Sequence, residues 1–131
     1  MSLYVDIQKR LGSFHLNVKL EAADETLALL GASGCGKSLT LKCIAGIETP
    51  DKGKIVLDDV VLFDSEKKIN LPPQKRKTGL MFQNYALFPN MTVLQNIRTG
   101  ASREPDKKKR TQAVAAVSTI SRLGDVSLGF V

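Results

Sequence analysis

Residues 31–38, Gly-Ala-Ser-Gly-Cys-Gly-Lys-Ser, fill every fixed position of the pattern G-x-x-x-x-G-K-[ST], a loop whose successive N–H groups turn inward around a polyphosphate. Gly31, Gly34 and Gly36 let the main chain approach an anion with no side chain in the way, and each can take the positive φ that a tight wrap requires. Lys37 is placed to put a point positive charge between the β- and γ-phosphates of a nucleotide. The Ser38 hydroxyl can complete the shell of a Mg²⁺ that bridges them. Gly31, Ala32, Ser33, Gly34, Cys35, Gly36, Lys37, Ser38 and Leu39 thus form the candidate nucleotide-binding stretch. A glycine-rich turn with an ordinary surface lysine is the competing explanation, and the flanking elements weigh against it.

Those elements are a strand before the loop and a helix after it. Residues 26–30, Thr-Leu-Ala-Leu-Leu, read as a strand covered on both faces. A helix starts at Lys37 with its positive end toward the anion, presents Leu41, Ile44 and Ala45 on one side, ends near Gly46 and is stopped by Pro50. Upstream, residues 4–8 suggest a short strand, and Phe14, Leu16, Val18 and Leu20 alternate with polar residues as in a half-buried one. Residues 54–57 and 60–63 read as a hairpin-like pair joined at Asp58-Asp59. Leu71-Pro72-Pro73-Gln74 marks a bend, because neither proline can donate to a ladder, and a strand is expected at residues 78–82 with Gln83 just past its end. Thr92-Val93-Leu94-Gln95 is a capping-box pattern that opens a short helix to about Arg98. A longer helix is expected from Pro105 to Leu123, with Ala113, Val114, Val117 and Ile120 on one face and Gly124 as its stop.

At 131 residues and 43% apolar the chain has the size of one domain or most of one. It has no run of about 18 apolar residues and no basic-then-apolar leader, so a cytoplasmic location is expected. Cys35, Cys43 and the single histidine, His15, do not suggest a disulfide framework or a metal-ligand spacing. The net charge of +6 comes largely from Lys75-Arg76-Lys77 and Lys107-Lys108-Lys109-Arg110. These read as solvated faces; with no aromatics interleaved to stack bases, nucleic acid is not an expected partner.

Three stretches together resemble the amino-terminal half of an ATP-binding-cassette (ABC) ATPase of a solute importer: residues 30–38; residues 44–53, Ile-Ala-Gly-Ile-Glu-Thr-Pro-Asp-Lys-Gly; and residues 81–93, Met-Phe-Gln-Asn-Tyr-Ala-Leu-Phe-Pro-Asn-Met-Thr-Val. Residues 9–14 and Pro72-Pro73-Gln74-Lys75-Arg76 look most like the ATPases of molybdate or tungstate importers, while sulfate, iron(III) and polyamine importer ATPases share much of this text. The resemblance implies an α/β fold: a P-loop NTPase core with a peripheral antiparallel β subdomain and the start of a helical subdomain, truncated. Residues 1–82 would hold the ATP-binding core and its β subdomain, and residues 83–131 the Q-loop and an incomplete helical subdomain. It further implies ATP and Mg²⁺ as ligands, with Lys37 and Gln83 serving catalysis and Ser38 and Gln83 touching Mg²⁺. Gln83 would also report the bound state to a transmembrane permease subunit, and a neutral amide suits that role since it can leave a cation without stranding a charge. Leu87, Phe88 and Met91 would border the groove that receives the permease, unless they are core. Phe14 or Tyr4 could stack on adenine; Phe14 equally fits the core face of its strand. The implied protein drives solute uptake with ATP, as a homodimer in its complete form, peripheral on the inner face of the cell membrane. A soluble P-loop kinase would use the same Lys37 and Ser38 but predicts an acceptor lid and an acid-rich site where Gln83 and its flanks stand. A basic nucleic-acid-binding or regulatory module is the other rival.

The resemblance also implies four later elements: an LSGGQ-type signature, a second apolar strand ending in Asp, a catalytic Glu and a switch His. None occurs in these residues. His15 precedes the loop and Asp58 belongs to the hairpin, so neither substitutes, and residues 119–131 resemble nothing expected there. Phosphoryl transfer depends on several positioned groups at once, so this chain is expected to bind Mg-ATP without efficient turnover. Cys35, beside a helix N-terminus, is a candidate reactive thiol, or simply an inert filler at a variable position.

Overall fold

The computed structural model describes residues 1–84, 87–102 and 104–123, residues 118–123 by backbone alone. Two compact units emerge, Met1–Leu80 and Met81–Val131.

The first unit is built on an antiparallel sheet of β1 (Leu3–Leu11), β2 (Phe14–Ala22), β3 (Lys52–Leu57), β4 (Val60–Asp64) and β5 (Ile69–Asn70), in the order β2-β1-β3-β4-β5. Alternation places Val5 and Ile7 of β1, Leu16 of β2 and Ile55 of β3 on one buried face. Two-residue turns close the β1–β2 and β3–β4 hairpins. Gly12 takes φ 57° in the first, and Asp58 and Asp59 take φ 46° and 65° in the second, a left-handed pair that aspartate tolerates. The Asp58 carboxylate also accepts the Ser2 N–H at 2.7 Å, tying this turn to the start of β1.

Consecutive burial of Leu62 and Phe63 breaks the alternation of β4, and a bulge is the cause. Ile55 faces Phe63 but Val56 faces Val61, so Leu62 has no partner across the ladder and both side chains turn inward. Asp64 is buried beside them. Its Oδ1 accepts the N–H groups of Glu66 and Lys67, each at 3.0 Å; the bond from Lys67 is the main influence holding this carboxyl below the usual range, against the opposing effect of burial.

Helix α1 (Lys37–Ala45) contributes Cys43 to the core formed by Val5, Ile7, Leu16, Ile55, Leu62 and Phe63. The helix turns inward on Thr40, Cys43 and Ala45 rather than on the expected Leu41, which is 44% exposed. Thr40 tolerates burial because its hydroxyl donates to Gly36 O at 2.9 Å, one turn back.

The strands expected at residues 26–30 and 78–82 are not formed. Both segments join no ladder, and Leu30 is 92% and Met81 82% exposed. An apolar run becomes a buried strand only when neighbours take up its N–H and C=O groups and layers cover its faces; among the described residues no strand pairs with either segment.

In the second unit, α2 (Val93–Ala101) has the expected capping box: Thr92 Oγ1 accepts the Gln95 N–H at 3.2 Å and Gln95 Oε1 accepts the Thr92 N–H at 2.8 Å. Helix α3 (Lys107–Leu123) starts two residues later than expected. Asp106 Oδ1 accepts the Lys108 N–H at 2.9 Å and so acts as its cap, which leaves Pro105 outside the first turn. Gly124, the expected stop, lies outside the described residues.

Gly53 stands opposite Ile7 with φ 114°, where a Cβ would strike the Asp6 carbonyl oxygen and lie 2.8 Å from Ile7 Cα. Gly53→Ala should therefore lower unfolding free energy by at least about 2 kcal/mol, seen as a shifted urea midpoint with little change in slope. An unchanged midpoint would contradict this register.

Candidate functional site

The phosphate-loop pattern ends in a helix whose start has no internal solution for its donors. Gly36 is the N-cap and offers no side-chain acceptor, and the first turn carries no acidic residue. The opening N–H groups of α1 thus point at the loop with an uncompensated positive field. Gly34 and Gly36 take φ 79° and 98°, conformations that favour glycine. Gly31 does not; a Cβ there would sit 2.6 Å from Cys35 Sγ, so that side chain would have to turn away.

Lys37 folds back over the loop. Its Nζ donates to Gly31 O at 2.6 Å, Ala32 O at 2.7 Å and Cys35 Sγ at 3.4 Å, which accounts for all three ammonium protons. Among the described residues no carboxylate pairs with it, so the charge is held at the loop unneutralised. Residues 31–35 and Ser38 are exposed, so a ligand can reach both the amides and the Ser38 hydroxyl. Free amides at a helix start, a lysine ammonium and an exposed hydroxyl form a donor set that fits a polyphosphate and a hard cation; the latter prefers oxygen ligands.

Behind the loop, Phe14 and Leu16 of β2 brace Gly36: a Cβ there would lie 3.1 Å from Phe14 Cζ and 2.5 Å from Leu16 Cδ1. Phe14 also packs on the core. Tyr4 is elsewhere, with its hydroxyl on Asp6 at 3.3 Å and on the sheet face opposite Val5. The structure thus places Phe14, and not Tyr4, against the phosphate loop. Leu39 is partly buried against the core one turn into α1. Gln83 and Asn84 are exposed in a turn of the second unit; Tyr85 and Ala86 lie outside the described residues. Leu87 and Phe88 are exposed by 42% and 48%, and Met91 is partly buried.

Arg76 is the residue that sequence reasoning misplaced. Expected on a solvated basic face with Lys75 and Lys77, it is 1% exposed. Its guanidinium donates from Nε to Leu71 O at 2.7 Å, from Nη1 to Cys43 O at 2.8 Å and Ile44 O at 3.0 Å, and from Nη2 to Asn70 Oδ1 at 2.8 Å. Burial pushes its pKa down from the usual value. Nothing in a Lys-Arg-Lys run distinguishes the middle residue; only the fork geometry of arginine suits three carbonyls at once. Asn96 was also missed. Its Oδ1 accepts the Phe88 N–H at 2.9 Å while Nδ2 donates to Phe88 O at 3.2 Å, stapling the turn before α2 to that helix.

A family model described as ABC transporter matches residues 14–128, and the chain belongs to that family. It is 43% identical over 103 residues to the molybdenum import ATP-binding protein ModC of Rhodospirillum rubrum, covering 79% of this chain and 28% of the relative. With ModC of Paramagnetospirillum magneticum it shares 40% over 126 residues, covering 96% and 34%. The trehalose/maltose import ATP-binding protein MalK of Thermococcus litoralis is 46% identical over 96 residues, covering 71% and 26%. The chain spans about a third of the length of such relatives. Among solved structures, a dimeric ATP-binding cassette in a post-hydrolysis state with ADP and Pi aligns with a TM-score of 0.69 at 22% identity, over 95% of this chain and 59% of that one, a likeness of fold.

The two cysteines differ in environment, Cys35 exposed and Cys43 buried, and burial pushes the Cys43 thiol up to about 11. Iodoacetamide at pH 8 should modify Cys35 alone in the folded chain and both cysteines in urea, counted by mass spectrometry. Because the folded pKa of Cys43 is raised, its stabilising contribution is complete below about pH 8.5 and is lost as pH rises toward 11. The urea midpoint should fall over that window by less in Cys43→Ala than in the native chain.

Proposed function

We propose that this chain is the nucleotide-binding part of the ATP-binding subunit of an importer, coupling ATP binding and hydrolysis to uptake of a solute, with an oxyanion such as molybdate the leading candidate. The observation that carries the reading is the uncapped start of α1 beneath a lysine-bearing glycine loop, with no acidic residue in the first turn. Membership of the ABC transporter family and the similarity to ModC support the choice of transport over a kinase, and of molybdate over other solutes.

In this reading the amides of residues 33–39 and Lys37 grip the β- and γ-phosphates. Lys37 exchanges one or more of its carbonyl partners for phosphate oxygens, which keeps the ammonium satisfied throughout. Ser38 would hold Mg²⁺, with Gln83 the further ligand that the family resemblance assigns, and the cation would supply charge neutralisation at the phosphates. Phe14 supplies the aromatic surface nearest the loop and stacks on the base. Gln83, with Leu87, Phe88 and Met91 near it in sequence, meets a transmembrane permease subunit. A second copy completes the assembly on the inner face of the membrane.

Lacking the signature, the second Asp-Glu strand and the switch His, these 131 residues bind Mg-ATP without efficient turnover. Titration calorimetry with Mg-ATP should find binding that weakens at least tenfold, about 1.4 kcal/mol, in Lys37→Ala with Tm retained. Equal affinity in the variant would reject the site. Steady-state hydrolysis at the rate of complete family members, abolished by Lys37→Ala, would reject the absence of turnover.

A further inference from the structure

We propose that Arg76 is a positioning residue for the phosphate loop: by clamping the C-terminal end of α1 it sets the orientation of the amides at the other end. The inference rests on the reading that the loop binds a polyphosphate.

Helix α1 is nine residues long, a rod of about 14 Å. Its outer side is open, Leu41 being 44% exposed, while its inner side packs through Leu39, Thr40, Cys43, Ile44 and Ala45. Gly36 bears on Phe14 and Leu16 at the N-terminal end, and Cys43 enters the core. Arg76 adds a polar hold at the C-terminal end. Nη1 holds the carbonyls of Cys43 and Ile44, while Nε and Nη2 are tied to Leu71 O and Asn70 Oδ1 on the segment that leaves β5. Asn70 in turn donates to Thr49 Oγ1 at 3.3 Å, beyond the helix end. Gly46 is part of the same joint: with φ 83° it caps α1, and a Cβ there would lie 2.5 Å from Arg76 Nε. The guanidinium has no carboxylate partner among the described residues, so its charge meets only neutral oxygens, two of them the α1 carbonyls of Cys43 and Ile44.

The lever is simple. From Cys43 to Gly36 the helix extends about 10 Å, so a tilt of roughly six degrees displaces the loop amides by about 1 Å. An error of that size in aiming hydrogen-bond donors is enough to change binding and chemistry by large factors. A residue far from the phosphates thus governs how well they are met.

The test compares the full chain with Arg76→Gln and with Ser65→Ala, which loosens the sheet at Gly53 by removing a 2.9 Å bond to its N–H. Amide resonances of residues 31–39 are followed in the nucleotide-free proteins by two-dimensional NMR, and Mg-ATP affinity by calorimetry well below each Tm. The expected result is displaced resonances at Gly34, Gly36, Lys37 and Ser38 and at least tenfold weaker binding in Arg76→Gln, with neither change in Ser65→Ala. Changes confined to residues 41–46 and 70–77, with affinity retained, would overturn the proposal. Should Arg76→Gln fail to fold, Asn70→Ala, which removes the Nη2 acceptor and the 3.3 Å bond to Thr49 Oγ1 but keeps the guanidinium on the helix carbonyls, is read by the same criteria. Displaced loop resonances in a chain that binds no Mg-ATP would uphold the positioning role and reject the nucleotide reading, so the two fail separately.

Discussion

A helix leaves its first N–H groups and its last C=O groups without partners, and this molecule treats the two ends of α1 in opposite ways. At the C-terminal end the carbonyls of Lys42, Cys43 and Ile44 are satisfied from within. Gly46 turns left-handed and returns its N–H to Cys43 O, the next two N–H groups reach Lys42 O, and Arg76 donates to Ile44 O and, as a second donor, to Cys43 O. At the N-terminal end the cap is a glycine, no acidic side chain intervenes, and a lysine adds charge of the same sign as the exposed amides. Donors that no side-chain cap takes up at this end are donors an anion can reach.

The rest of the first unit serves this asymmetry. The antiparallel sheet supplies the surface on which α1 lies, and the bulge at Leu62 gives that surface two consecutive inward side chains under the helix. Phe14 and Leu16 at one end and Arg76 at the other hold the helix from both sides of its contact with Cys43. The same helix field that repels cations at the loop attracts the guanidinium at the far end, so the charges of Lys37 and Arg76 act on one dipole for different purposes. The second unit is organised by hydrogen bonds more than by apolar burial. The capping box at Thr92 and the Asn96 staple to Phe88 shape the turn before α2, and no residue of that helix is buried.

Much of this was legible from residue types. The loop, the start of α1 at Lys37 and its end at Gly46, the Asp58-Asp59 turn and the capping box each depend on local stereochemistry, where a glycine, an aspartate pair or a Thr-x-x-Gln acts on its own backbone. The alternation of β2 was equally readable, since one sheet face meets the core and the other meets water. Failures came where a partner decides. Residues 26–30 and 78–82 are apolar enough for central strands, yet a strand is a relation between two segments, and neither finds one here. Leu41 looked like a core residue and Thr40 did not, because periodicity gives a helix a face without saying which one meets the sheet.

The sequence by itself determined that the chain carries a glycine-rich loop of the phosphate-loop pattern on a helix start, since that property resides in eight consecutive residues and the geometry they impose on one another. It determined the family as well, through text spread over three stretches. Only the tertiary structure decided that Arg76, one cation in a basic run, is a buried clamp, that Phe14 rather than Tyr4 lies against the loop, and that Cys35 is open to solvent while Cys43 is sealed. The physical reason is range. Turn, cap and loop chemistry acts over a few bonds, whereas burial and the company a charge keeps depend on residues more than thirty positions away, as Arg76 and Cys43 are.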